Sequence, residues 1–262
     1  MDIKKAFEKS MYAKIKNFDM YTEIPKNGVS NDELLRQLNE WSKYEDTMWN
    51  GEQKYVSGTV YHGGKDLIEL QNKAYSMFSV SNPLHPSEFP FVRKMMAEIV
   101  AMTISYFNGN PYKECGMLTS GGTESIIMGI RAYWMYGKYN KNIKNPELIM
   151  SNTGHAAFIK ACDMFNIKCV IIKPDVKTFR LGVNNVEGYI NRNTIAIVGS
   201  CPDYSHGIQD DIVGLAKLAK KYDIGFHVDC CIGSYLLPTI KNIPKYGKNI
   251  IDFDWSVGGI GS

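Results

Sequence analysis

Beyond Cys115 the sequence repeatedly sets a short apolar run, closed by polar or small residues, against a longer stretch of helical spacing. Apolar runs too short for buried helices, separated by helical stretches, describe a mainly parallel sheet with helices on both faces, an α/β architecture. The spacing predicts strands over Glu147 to Asn152, Lys168 to Pro174, Thr194 to Ser200 and Ile224 to Asp229. Between the last two, DDIVGLAKLAKKY puts Ile212, Leu215, Ala216 and Ala219 on one helical face. The strands close on Ser151-Asn152, Ser200-Cys201 and Asp229-Cys230. Ligands of open α/β sheets sit outside the carboxyl ends of strands, so chemistry is expected at those endings.

Upstream the pattern is helical. LIELQNKAYSMFSV stops at Asn82-Pro83, because the residue before proline is pushed out of the α region. FVRKMMAEIVAMTISYFNG reads as a long helix with a buried face, ended by Asn108-Gly109. Residues 1–60 mix helical pieces such as NDELLRQLNEWSKYED with Gly-containing turns and read as an arm or cap; residues 61–262 read as the main domain.

A chain of 262 residues, 44% hydrophobic and 22% charged, can bury a core and is not a disordered tail or a membrane bundle. Thirty basic against 27 acidic residues leave +3, too weak and too mixed for a nucleic-acid partner. The six cysteines show no CxxC spacing, which argues against a metal ribbon and for a reducing compartment. No segment reaches the roughly 20 apolar residues of a membrane span, and the first twenty residues have no signal-like apolar core. The chain therefore reads as soluble and cytoplasmic.

The sharpest local signal is Thr119-Ser120-Gly121-Gly122-Thr123-Glu124-Ser125, followed by the apolar-periodic IIMGIRAYWMYG. Glycines let backbone amides approach an anion, hydroxyls add donors, and the following helix points its positive end at the same place. No Gly-Lys-Ser/Thr follows and GxGxxG is absent, so a Walker loop and a dinucleotide site are excluded. A plain capped helix start is an equal reading of so short a string. His155, at a second strand end before Ala156-Ala157, has a ring suited to stacking on an aromatic ligand, though capping or packing is the commoner role of such a histidine. Asp229 closes a buried strand and needs a cationic partner or a capping role. Anion cup, stacking ring and strand-end carboxylate describe one ligand with a phosphate, an aromatic ring and a basic ring nitrogen. Pyridoxal 5'-phosphate has all three.

With those residues in place, the sequence resembles the fold type I pyridoxal-phosphate enzymes of the group II decarboxylase superfamily, and within it the sphingosine-1-phosphate lyases. The resemblance rests on VSGTVYHGG at 56–64, FSVSNPLHPSEFP at 78–90, FNGNPYKECGMLTSGGTESIIMGIRAY at 107–133, GHAAFIKACDMF at 154–165, INRNTIAIVGSCPDYSHGIQDDI at 190–212 and LAKKYDIGFHVDCCIGSYLL at 218–237. It implies that Gly122 and Thr123 hold the cofactor phosphate, that His155 stacks on the ring, and that Asp229 pairs with the ring nitrogen. Tyr61 and His85 match catalytic positions facing the substrate, with Asn82 beside them as a substrate contact. It further implies a homodimer, or a dimer with a full-length homologue, with Tyr61 and His85 acting across to the partner's cofactor. The implied reaction is carbon–carbon cleavage of a phosphorylated sphingoid base, sphingosine 1-phosphate, to a fatty aldehyde and phosphoethanolamine. An amino-acid decarboxylase of the same superfamily and a non-catalytic partner of a full-length homologue are the alternatives. In the family the cofactor-anchoring lysine lies in a His-Lys-Tyr-Gly motif after a stretch like FDWSVGGIGS, here residues 253–262. The expectation is that this lysine and a small C-terminal domain lie beyond Ser262 and that the chain is inactive without them. Lys245-Tyr246-Gly247 has Pro244 in place of the His and reads as a surface turn.

Overall fold

The computed structural model describes residues 21, 23–49, 64–240 and 259–261. The chain divides into two compact units, Met1–Glu69 and Leu70–Ser262.

In the first unit, α1 runs over Asn31–Trp49. Ser30 Oγ accepts the Glu33 amide at 3.3 Å and closes the first turn, where Asp32 and Glu33 face the positive end of the helix. Helix α2 runs over Lys65–Phe78.

The second unit holds the sheet. Helix α3, Pro90–Tyr106, starts with Pro at its first turn and ends at Phe107, after which Asn108 takes a φ of 61° in the left-handed region. The next elements are α4, Gly122–Asn140, β1, Glu147–Ser151, α5, Ala156–Met164, and β2, Lys168–Ile172. Helix α6, Val183–Val186, and a 3₁₀ turn, Glu187–Tyr189, lead to β3, Thr194–Ser200. Helix α7, Ile212–Lys221, β4, Gly225–Asp229, α8, Leu237–Ile240, and β5, Gly259–Gly261, complete the order. The strands lie in the order β2-β1-β3-β4-β5, and every pairing is parallel.

Strands β1 and β3 are buried along their whole length, which their unbroken apolar runs anticipate. Leu148, Met150, Ala196 and Val198 pack with Ile126 and Ile130 of α4 and Phe158 and Ala161 of α5. Ile149, Ile197, Phe226 and Val228 face the opposite layer, where α7 inserts Ile212, Leu215, Ala216 and Ala219. Asp211 starts α7 by accepting the Gly214 amide at 3.1 Å.

Helix α3 departs from the sequence reading. None of its residues is buried, and Phe91 and Met102 are each 63% exposed. Its apolar periodicity is real, but within the described chain only part of it meets protein: Tyr235, after β4, bonds through its hydroxyl to Thr103 at 2.9 Å and through its carbonyl to the Tyr106 hydroxyl at 2.8 Å.

Candidate functional site

The site is assembled by the course of α4 along the sheet. Where a Cβ on Gly137 would stand, Ile195 Cγ2 of β3 is 2.7 Å away; on Gly129, His227 Cε1 of β4 is 3.1 Å away; on Gly122, Cys231 Sγ is 3.7 Å away. Between them the Tyr133 hydroxyl donates to the Phe226 carbonyl at 2.7 Å. Read from its last turn to its first, α4 thus climbs from the start of β3 to the end of β4, and its positive end lies at the carboxyl edge beside Asp229. Helix α5 begins at the same edge, just after β1. Strands β1 and β4 are two strand spacings apart, about 10 Å. Asp229 shares its face of β4 with His227, whose ring meets Phe158 of α5 and Tyr133 of α4, so the carboxylate belongs to the α4/α5 layer.

Gly121 precedes α4 in extended backbone, and a Cβ there would meet nothing within 4 Å. Gly122 and Thr123 are exposed at the first turn, where amides have no partner inside the helix. The hydroxyls of the cup are engaged locally. Thr119 Oγ1 is 2.6 Å from Ser125 Oγ, and Glu124 Oε2 accepts the Ser120 amide at 2.7 Å and its hydroxyl at 2.6 Å. Those bonds, the hydroxyl first, hold the Glu124 carboxyl below the usual carboxylate range. Glu124 thus fixes the rim of the cup, a role the motif reading did not assign; its place four residues after Ser120, one helical turn on, is the signal that was available.

His155 is the N-cap of α5, its Nδ1 accepting the Ala157 amide at 3.1 Å. The capping role that the sequence favoured is present: the bond fixes the orientation of the exposed ring and, in the neutral imidazole, places the proton on Nε2. Asp229 is 7% exposed and accepts the Cys231 amide at 3.3 Å. Among the described residues no lysine, arginine or histidine forms an ion pair with it. Partial burial and the Asp229 carboxylate beside it push the Cys231 thiol up to about 12.

Two carboxylates bond the backbone of the next loop. Asp210 is buried and accepts the amides of Ser200 and Leu181, each at 2.8 Å; burial nevertheless pushes its carboxyl up to about 6. Asp203 receives the amides of His206 and Ile208 and faces His206 Nδ1, all at 3.0 Å.

Asn82 and His85 share one exposed turn, in which Asn82 Oδ1 accepts the Leu84 amide and the Asn82 carbonyl accepts the His85 amide, each at 3.0 Å. Among the described residues no hydrogen bond or ring contact joins that turn to Gly122, His155 or Asp229. Tyr61 and Lys245 lie outside the described residues. Among the described residues no group of three or more His, Cys, Asp or Glu is placed to hold a metal, and no helix is long and apolar enough to cross a membrane.

The donor set fits pyridoxal phosphate: an open glycine approach to a helix N-terminus, a fixed ring at the start of the neighbouring helix, and a nearly buried carboxylate without a cation on the same face.

No protein-family model matches the chain. Sphingosine-1-phosphate lyase of Saccharomyces cerevisiae is 39% identical over 262 residues, covering 99% of this chain and 44% of that protein. Sphingosine-1-phosphate lyase 1 of Rattus norvegicus is 43% identical over 245 residues, covering 93% of this chain and 42% of that protein. Among solved structures, the sphingosine-1-phosphate lyase of Burkholderia pseudomallei superposes with a TM-score of 0.84 at 30% identity, over 95% of this chain and 58% of that one. Lactobacillus brevis glutamate decarboxylase, at 19% identity and a TM-score of 0.65, shares the fold. The chain spans less than half the length of the curated relatives it matches. Over the part of those proteins that it spans, the chain is similar to the sphingosine-1-phosphate lyases in sequence and in fold.

Proposed function

We propose that the chain supplies the cofactor-holding part of a pyridoxal-phosphate-dependent carbon–carbon lyase acting on phosphorylated sphingoid bases. The observation that carries this reading is the course of α4, which sets an open, glycine-lined helix N-terminus beside a strand-end carboxylate without a cation.

The amides of Gly122 and Thr123, with the positive end of α4, bind the phosphate. His155, fixed by its own capping bond, offers the face of its ring to the pyridine. Asp229 holds the proton on the ring nitrogen. When bound, pyridoxal phosphate supplies a ring that accepts the electron pair of the breaking Cα–Cβ bond. His85 and Tyr61 act on the substrate side, with Asn82 fixing the turn that carries His85, and the hydroxyl proton of the substrate is theirs to move. Residues 61–262 form the cofactor domain and residues 1–60 an arm, in a cytoplasmic setting that the cysteine spacing supports.

A homodimer belongs to the same proposal. Phe91, Met95, Met96, Ile99 and Met102 leave one helix with a row of exposed apolar side chains, which a second copy of the chain covers.

Equilibrium dialysis against pyridoxal phosphate tests the site. Wild-type chain is expected to retain the ligand and Asp229→Ala to lose most of it; equal retention sinks the assignment of Asp229. For the reaction, the chain extended through a lysine-bearing segment is expected to release a fatty aldehyde from sphingosine 1-phosphate. Release of carbon dioxide from an amino acid instead would establish the decarboxylase reading.

A further inference from the structure

His227 is 1% exposed, and its Nε2 is one of two buried side-chain polar atoms without a hydrogen-bond partner among the described residues. Three walls enclose the ring. The edges of Phe158 and Tyr133 stand at 80° and 79° to it, with centroids 5.2 and 6.1 Å away, and a Cβ on Gly129 would come within 3.1 Å of Cε1 and 3.3 Å of Nδ1. A leucine or phenylalanine would fill such a slot without burying an unsatisfied nitrogen, so packing alone does not account for a histidine here. Along β4, His227 precedes Asp229 by two residues and shares its face, one pleat or roughly 7 Å back along the strand. Burial keeps the imidazole neutral against the opposing pull of the Asp229 charge. A neutral imidazole at that position has a nitrogen free for a polar partner and brings no second cation to compete for the carboxylate.

We propose that His227 is a positioning residue: from one pleat back along β4, its unpartnered imidazole supports the Asp229 carboxylate in the cofactor-bound site and keeps it available for a protonated ring nitrogen. This rests on the reading of Asp229 as the cofactor's ring-nitrogen partner and extends it one residue inward.

The test uses pyridoxamine 5'-phosphate, which has no aldehyde to react with surface lysines, and its analogue with C–H in place of the ring nitrogen. Affinities for both are measured by equilibrium dialysis on the 262-residue chain, and the ratio between them within each variant cancels any loss of folded protein. His227→Phe is expected to bind the nitrogen ligand about tenfold more weakly and the carbon analogue as wild type does. His227→Gln, which keeps an N–H, restores part of the ratio, and His227→Phe adds nothing on an Asp229→Ala background. An unchanged ratio in both single variants, or equal weakening for the two ligands, overturns the proposal and leaves His227 a packing residue. Failure of the wild-type chain to prefer the nitrogen ligand overturns the reading of Asp229 itself, and this inference with it.

Discussion

Burial pushes the His227 imidazole down to about 4, with the Asp229 carboxylate pulling the other way. The folded chain therefore binds this proton less readily than the unfolded chain. Its contribution to stability is complete above about pH 6.5 and is lost as pH falls through about 4, by roughly 3 kcal/mol at the end of that window. Of the groups packed around it, Asp229 lies on the same strand, Phe158 of α5 does not titrate, and burial pushes the Tyr133 phenol up to about 12, so it stays protonated throughout. Urea denaturation of His227→Phe at pH 7 and pH 4.5 is expected to show a smaller difference than wild type. A difference as large as wild type would place the acid sensitivity elsewhere. At His155, Ala removes the cap of α5 and is expected to lower stability by about 1 kcal/mol, while Asn keeps the cap and removes only the ring. Comparing cofactor retention in the two variants separates the two roles of this residue.

Helix α4 lies close to β3 and β4 because small residues let the backbones approach. A Cβ on Gly225 would meet the Tyr133 ring and stand 3.0 Å from the Ile195 carbonyl oxygen. Gly225→Ala is expected to cost about 1–3 kcal/mol in urea denaturation, because it displaces Tyr133 and its bond to the Phe226 carbonyl. Gly121→Ala is the control. Its backbone is extended and the space is open, so stability should stay within about 0.5 kcal/mol of wild type. Comparable losses in both variants would mean that contact with the sheet does not set the height of α4.

Across the sheet-bearing unit, apolar surface is distributed unevenly. The central strands β1 and β3 are buried along their length, while α3 leaves Phe91 and Met102 largely in solvent. A second copy covering that helix predicts a dimer in sedimentation equilibrium. Replacing Phe91 and Met102 together with Glu should shift the chain to monomer with its circular dichroism preserved, since neither side chain belongs to a core. A dimer unchanged by both substitutions would move the interface to another face.

Strand limits were legible because a buried parallel strand is an unbroken apolar run between polar stops: the expected Thr194 to Ser200 is the observed β3, and the other three expected strands differ by one or two residues at an end. The apolar face of α7 was legible for the same local reason, since helical period places Ile212, Leu215, Ala216 and Ala219 together wherever the helix lies. The order of cup, ring and carboxylate was likewise written in the chain. Burial of α3 was not, because periodicity marks a face as apolar without saying what covers it. Nor was the partner of Ser120, which Glu124 takes, or the enclosure of His227, which alternation along β4 marks as inward but cannot wall in. Local sequence sets where elements begin, which face is apolar and which groups stand at their ends, since these depend on residues a few positions apart. Which helix turn meets which strand residue depends on close approach between distant segments, and that packing alone brings Gly122 beside Cys231 and Asp229 and shuts His227 beneath them.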